Sequence, residues 1–131
     1  MASAQTLNDL QWKNRILLVM EQGDDTLIFQ NQLDEFDGLE NELEERKILI
    51  YQIKNNSYRL GLYANKKWKS ITDLDLLKIT KDQEEDFKVV LIGLDGSVKK
   101  RQSNMMTSKQ LFSTIDSMPM RQQELRNEKE E

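Results

Sequence analysis

Residues 17–29 read LLVMEQGDDTLIF, and the change of character within this stretch decides the fold. Its first half completes Arg15-Ile-Leu-Leu-Val-Met20, an unbroken apolar run of strand length, the pattern of a central strand buried on both faces. Its second half opens a helix, because Phe29, Leu33, Phe36, Leu39 and Leu43 recur at spacings of three and four. Gly38, after Asp37, is the point where that stripe can divide into two pieces. A second strand follows in Lys47-Ile-Leu-Ile-Tyr-Gln-Ile53, rich in β-branched residues. Two buried strands joined by helix of this length predict a right-handed β-α-β unit with parallel strands.

The rest of the chain adds to that unit. Asn55-Asn56-Ser57 marks a turn, and SYRLGLYANKKWKSI (57–71) alternates apolar and polar residues about Ala64-Asn65-Lys66, which predicts a β-hairpin. Leu74, Leu77 and the stem of Lys81 give a short helical face before the acidic run from Asp82 to Asp86. Phe87–Gly93 is a third buried strand, Asp95-Gly96 a tight turn, and Ser97–Gln102 the returning strand. Lys99, Lys100 and Arg101 make that last strand basic, in the manner of a protected sheet edge. Thr107 or Ser108 caps a last helix with the stripe Leu111, Phe112, Ile115 and Met118, which Pro119, the only proline, should end or kink. Trp12 is expected as a core anchor under the first strand. The order β-α-β-(hairpin)-α-β-β-α predicts an α/β, thioredoxin-like fold. Its mixed four-stranded sheet has the order 2-1-3-4, with helices on both faces and an inserted hairpin around 57–71. One domain is expected over residues 1–125, with a frayed charged tail at 126–131.

Composition narrows the chemistry. The chain has 131 residues, enough for one core without metals or disulfides; it is 37% hydrophobic and 32% charged, with a net charge of −4. Cysteine and histidine are both absent. That removes thiol redox chemistry, a thiolate nucleophile, an imidazole base and the usual zinc site. Thiol oxidoreductase and peroxidase activities are excluded on that ground. Carboxylates, Lys, Tyr and Ser/Thr leave hydrolysis with Mg²⁺ or Ca²⁺ formally open. The acidic stretch from Glu21 to Glu45 and the acidic balance argue against nucleic acid as a partner. No apolar run approaches the ~20 residues that span a bilayer, so membrane insertion is not expected. Ala2-Ser3-Ala4 has the small-x-small form of a signal-peptidase site, but no hydrophobic region precedes it.

Two groups of residues are candidates for function. Gly23, Asp24, Asp25 and Thr26 follow the first strand, where thioredoxin-like folds keep their reactive cysteine, and a helix start there favours negative charge. Helix capping by Asp24 and Asp25 is the simpler role; Glu21, Asp24 and Asp25 are the one cluster offering converging oxygens to a hard cation. Peroxiredoxin-like folds carry an arginine near this turn, and by that likeness Arg101 is the residue to pair with Asp24 or Asp25; Lys99 and Arg101 could meet an acidic partner, or simply form a solvated edge strand. The proline that thioredoxins keep before the third strand is missing, since Glu85-Asp86-Phe87-Lys88 stands there. In Met118-Pro119-Met120-Arg121-Gln122, Met118 is expected in the core, and Arg121 is expected to cap the last carbonyls of the helix.

Four stretches carry a family resemblance: LNDLQWKNRILLV (7–19), LEERKILIYQI (43–53), FKVVLIGLDGSVKKR (87–101) and LFSTIDSMPMRQQE (111–124). They resemble the P-DUDES domain of unknown function, shared by small bacterial secreted proteins and animal sushi-repeat-containing extracellular-matrix proteins. The most specific part is Ile115-Asp116-x-Met118-Pro119-Met120-Arg121-Gln122, with Asp95 and Gly96 in a second motif where Lys100 replaces a residue that is often apolar. The resemblance implies a thioredoxin- or peroxiredoxin-like fold with no established activity and no cofactor. It also implies a periplasmic or secreted location, with Ala2-Ser3-Ala4 as a remnant of a removed signal. The expected function is a non-catalytic protein-interaction module with an extracellular partner. The alternative is a divalent-cation or small-anion binding domain, or a metal-dependent hydrolase, centred on the turn after the first strand.

Overall fold

The computed structural model describes residues 6–22, 26–63, 66–81 and 85–130, with backbone only at 26 and 128–130. The elements are α1 (Leu7–Leu10), β1 (Arg15–Glu21), α2 (Thr26–Asp34), α3 (Glu40–Glu45), β2 (Ile48–Lys54) and β3 (Ser57–Leu60). They continue with β4 (Lys69–Ser70), α4 (Leu74–Lys81), β5 (Phe87–Ile92), β6 (Val98–Gln102), α5 (Ser108–Asp116) and α6 (Pro119–Glu130). β1 is buried along its whole length because it lies between β2, to which it is parallel, and β5, to which it is antiparallel. The sheet order is β4-β3-β2-β1-β5-β6.

Alternation along the strands sends side chains into two separate cores. Leu17, Val19, Ile50, Val89 and Leu91 pack with Phe29, Leu33 and Phe36 of the α2 region, Leu43 of α3, and Leu111 and Ile115 of α5. Ile16, Leu18, Met20, Tyr51, Ile53, Val90 and Ile92 face the other way, onto Leu10 of α1, Ile71 and Leu76 of α4. Helices therefore cover both faces, as the pattern predicts.

Several expectations change. The sheet has six strands, not four: the inserted segment does not stand apart but extends the sheet beyond β2, through a turn at Asn55 in the left-handed conformation. A buried amide holds it there. Gln52, wholly inaccessible, donates to the carbonyls of Gly61 and Tyr63 and accepts from Arg59 Nε at 2.9 Å, and the Arg59 guanidinium lies 4.2 Å over the Trp68 ring. As the sequence allows at Gly38, the helix after β1 is two helices, split where Gly38 takes φ +81°. Trp12 is not a core anchor: it is 61% exposed with φ +71°, at the bend where its N–H donates to the Leu94 carbonyl. The break expected at Pro119 is present, since α5 stops at Asp116 with Ser117 as its C-cap, and Pro119 in addition starts α6, a place where its missing N–H costs no bond. α6 continues to Glu130, through the segment where the sequence suggests a tail.

Candidate functional site

The turn after β1 is the first candidate, and Gly23, Asp24 and Asp25 lie outside the described residues, as does the side chain of Thr26. What is described is the strand end that leads into it. Glu21 is buried and lies opposite Lys54 in the β1–β2 register, with Nζ and Oε2 4.0 Å apart. Lys54 Nζ also sits 4.9 Å over the Phe29 ring. This carboxylate is therefore engaged by its own sheet. Among the described residues no group of three or more acidic side chains is arranged to hold a metal ion.

Arg101 and Glu21 do not share a face. Glu21 pairs with Phe87, which belongs to the core under α2 and α5; Arg101 pairs with Val90, which belongs to the core under α1 and α4. Arg101 instead borders a polar hollow with Gln11, Asp75 and Lys78. Lys99 is occupied by the turn before it, with Nζ 2.9 Å from Asp95 Oδ2. Asp95 Oδ1 accepts from Ser97 N at 3.0 Å and from Ser97 Oγ at 2.7 Å, and Gly96 supplies φ +83°. Those Ser97 bonds, then Lys99, hold the Asp95 carboxyl down at about 2. Asp95 and Gly96 thus build a turn.

The motif around Pro119 assembles a buried charge cluster beside the first residue of β1. Arg121, 1% exposed, donates from Nε to Asp116 Oδ1 at 3.1 Å and from Nη2 to Glu45 Oε1 at 2.9 Å, and its Nη1 lies 3.4 Å from Glu124 Oε1. Arg46 makes a two-pronged bond to Asp116 (3.0 and 2.9 Å) and stacks 4.3 Å over Phe112. Arg15 donates through Nη1 to the Arg46 carbonyl at 2.8 Å and to Glu124 at 3.2 Å. Burial pushes the Asp116 carboxyl up, but the bonds from Arg46 and Arg121 outweigh it and hold the carboxyl below the usual range. For Arg121, burial lowers the pKa and the surrounding carboxylates more than restore it. Arg121 thus does not cap α5, its Nη1 instead reaching the Glu45 carbonyl at the end of α3 at 3.5 Å; Gln122 Nε2 is the group that donates to the Asp116 carbonyl at the end of α5. Met118 packs against the core as expected, and Met120 is partly exposed.

A groove is the feature that sequence reasoning missed. It encloses about 620 Å³ between α3, β2 and the segment after β3. Leu43, Ile48, Ile50, Leu60 and Leu62 supply an apolar lining, with Glu40 and Glu44 of α3 and with Lys47 and Lys66 bringing charge to it. Tyr63, half exposed, fixes one wall by sharing its single hydroxyl proton between Asp37 Oδ1, 2.9 Å away, and Glu40 Oε1. The Tyr63 bond lowers the Glu40 pKa, while the two carboxylates, Glu40 first, push the phenol up. The groove exists because the α3 helix is one and a half turns long and leaves the β2–β3 side of the sheet partly uncovered. Alternation in residues 57–62 was the legible signal: it places strand here, but not its continuity with the main sheet.

Comparison with a family model identifies the chain over residues 6–124 as Domain of unknown function (DUF4174). The chain belongs to this family. Among solved structures it is similar to a reduced 2-Cys peroxiredoxin of Plasmodium vivax, at 17% identity and a TM-score of 0.61, covering 89% of this chain and 84% of that one. At that identity the likeness concerns fold, and it places the DUF4174 chain in the thioredoxin-like α/β class. Comparison with curated proteins finds no match. Among the described residues no helix is long and apolar enough to cross a membrane.

Proposed function

We propose that this DUF4174 domain is a non-catalytic, thioredoxin-like binding module that acts outside the cytoplasm and engages a protein partner through the groove between α3 and the β3 extension. The observation that carries this reading is the pairing of a peroxiredoxin-like fold with a chain that has no cysteine and no histidine. Without a thiolate the fold has no peroxidatic group, which supports a use that rests on what its surface binds. The groove supports the choice of surface. It is apolar inside and charged at its margins, the composition of recognition sites that take an extended apolar segment. Gln52 and Tyr63 hold its walls in place before any partner arrives, which lowers the cost of ordering on binding. The resemblance of residues 87–101 and 111–124 to P-DUDES domains supports a periplasmic or secreted setting.

The reading that centres on a divalent cation or small anion at Glu21, Asp24 and Asp25 has less behind it. Glu21 is engaged by Lys54, and Arg101 lies across the sheet. The test compares capture of proteins from a secreted and envelope fraction by the wild-type chain and by Glu40→Arg/Glu44→Arg, with circular dichroism to verify folding. A partner retained by the first and lost by the second is expected. Unchanged capture overturns the choice of groove, and thiol-dependent peroxide turnover by the purified chain overturns the non-catalytic reading.

A further inference from the structure

The groove beside α3 meets an open edge of the sheet. Bonds at the two ends of the β1–β2 ladder set the alternation along β2: Arg15 N–H donates to the Lys47 carbonyl at 2.8 Å, and Asn55 N–H to the Glu21 carbonyl at 3.1 Å. Odd-numbered residues of β2 therefore turn their backbone groups to β1, and Ile48, Ile50, Gln52 and Lys54 turn theirs to the β3 side. β3 meets Gln52 and Lys54 through Arg59 and Ser57. At Ile50 the pairing is only half made. Gly61 N–H donates to the Ile50 carbonyl at 2.9 Å, but the Gly61 carbonyl is taken by Gln52 Nε2. With φ +95° at Gly61 the chain then leaves the sheet, and Leu62 packs on the face that carries Ile50.

Ile48 is left with no strand beside it. Its N–H and C=O turn outward and have no backbone partner among the described residues. Peptide groups in the middle of a fold are almost always paired, so this one is an unmet donor and acceptor side by side. The groove reaches it. Ile48, Ile50 and Leu62 pack with α2 and α5, whereas Leu49 and Leu60 pack with α1 and α4, yet all five line the one hollow. Side chains from opposite faces of a sheet share a hollow only where it passes the rim of a strand. Charge distinguishes its walls. Glu40 and Glu44, one turn apart, line the α3 side; Glu40 has the neutral Tyr63 hydroxyl, and Glu44 has no cation paired with it among the described residues. Of the two bases, Lys47 already faces Glu124 at 3.7 Å and Lys66 stands on the opposite wall.

We propose that the partner enters as an extended segment that adds a short strand to the open edge of β2, exchanging two main-chain hydrogen bonds with Ile48, and that it carries a lysine or arginine to meet Glu40 and Glu44. This rests on the α3 groove being the partner surface and specifies how that surface is used. Gly61 closes the edge at Ile50, so the pairing is confined to Ile48. Main-chain bonds supply affinity that depends little on sequence, alternate side chains enter the apolar lining, and the acidic wall selects the base. A bound helix or a small apolar molecule would leave Ile48 unmet, because a helix spends its own main-chain groups internally and an apolar molecule has none.

The test uses amide-resolved NMR on the full chain and has two parts. In the free chain the Ile48 amide should exchange with solvent at least about tenfold faster than that of Leu49, whose N–H turns to β1. The chain is then titrated with acetyl-Val-Lys-Val-Thr-Val-amide and with the same peptide N-methylated at every residue, which keeps the side chains and removes the main-chain donors. Saturable shifts at Ile48, Leu49 and Leu60–Tyr63, with half-saturation on the order of 1 mM and slowed exchange at Ile48, are expected for the first peptide. N-methylation should weaken binding by about tenfold or more. Glu44→Lys, at an exposed position of α3, should weaken it by about threefold or more. An Ile48 amide as slow as that of Leu49 in the free chain overturns the proposal, as does the absence of saturable shifts with the first peptide. Equal binding of the N-methylated peptide overturns strand addition while leaving the groove as the partner surface, and a Glu44→Lys chain that binds as wild type overturns the basic residue. Failure of the groove itself shows separately, as protein capture unchanged by Glu40→Arg/Glu44→Arg.

Discussion

Truncating Arg121 to alanine tests whether the motif around Pro119 is a device of the fold. The side chain is 1% exposed and bonds to Asp116, Glu45 and Glu124 at 3.1, 2.9 and 3.4 Å. Removing one member of a fully buried ion pair costs about 3–5 kcal/mol. Here the loss is smaller, because Asp116 keeps Arg46, Glu124 keeps Arg15 and Lys47, and Glu45 is nearly half exposed and regains water. Against that, the arginine stem leaves a gap where roughly three methylenes were buried, about 0.8 kcal/mol each. The two effects together give about 3 kcal/mol. With an m-value of about 2 kcal/mol/M, the urea midpoint should fall by about 1.5 M at unchanged slope. Arg121→Lys restores charge without the fork and should recover about half of that loss. Glu45→Ala should cost about 1–3 kcal/mol, since it leaves the buried Arg121 Nη2 without its carboxylate while Asp116 and Glu124 remain. A midpoint for Arg121→Ala within about 0.3 M of wild type would refute the reasoning and make the cluster a set of incidental surface contacts.

Other expectations follow from the same geometry. Gln32, wholly buried, donates to the Met106 carbonyl at 2.8 Å and accepts from its N–H at 2.7 Å, so Gln32→Met should cost roughly 2–4 kcal/mol in thermal or urea unfolding by orphaning both backbone groups. Trp12→Gly should gain about 1 kcal/mol despite deleting an indole, because it relieves a left-handed backbone and gives up little burial; a loss in midpoint would contradict this. Asp116 and Asp95 both titrate below the ordinary carboxylate range when folded. Their stabilisation is complete above about pH 4 and is lost as pH falls through the folded values, for Asp95 near 2, so Asp95→Asn should flatten the acid limb of a stability–pH curve. Gln52→Ala should free the β3 extension, read as faster amide exchange at Gly61–Tyr63 with β1 and β5 unchanged.

What the sequence discloses and what it hides divide along physical lines. β1, β2 and β5 are visible as apolar runs because both faces of each strand are buried, and burial on two faces leaves no polar gaps. Asp95-Gly96 and Thr107 are visible because a tight turn and a helix cap each need particular residues locally. α1 carries only a local signal: Thr6 and Asp9 form a reciprocal capping box, and a helix of four residues has no periodicity to accompany it. The arginine cluster was not readable. Arg121 meets Glu45 and Arg15 meets Glu124 across separations of 76 and 109 residues, and long-range charge pairing leaves no local pattern. The groove was hidden for a similar reason, since it arises from a short helix and an added strand lying side by side. The turn residues Gly23, Asp24 and Asp25 lie outside the described residues, and Glu21 and Arg101, expected near them, sit on opposite faces of the sheet.

The central claim, that this thioredoxin-like domain works by binding a protein at the α3 groove, is tested most directly by a photo-crosslinking amino acid placed at Tyr63, compared with one placed at Arg101 on the far face. Exposed to the secreted and envelope fraction, the Tyr63 position should yield one discrete adduct, competed by unlabelled wild-type chain, while the Arg101 position yields none. Adducts from both positions alike, or a competed adduct from Arg101 alone, would contradict it.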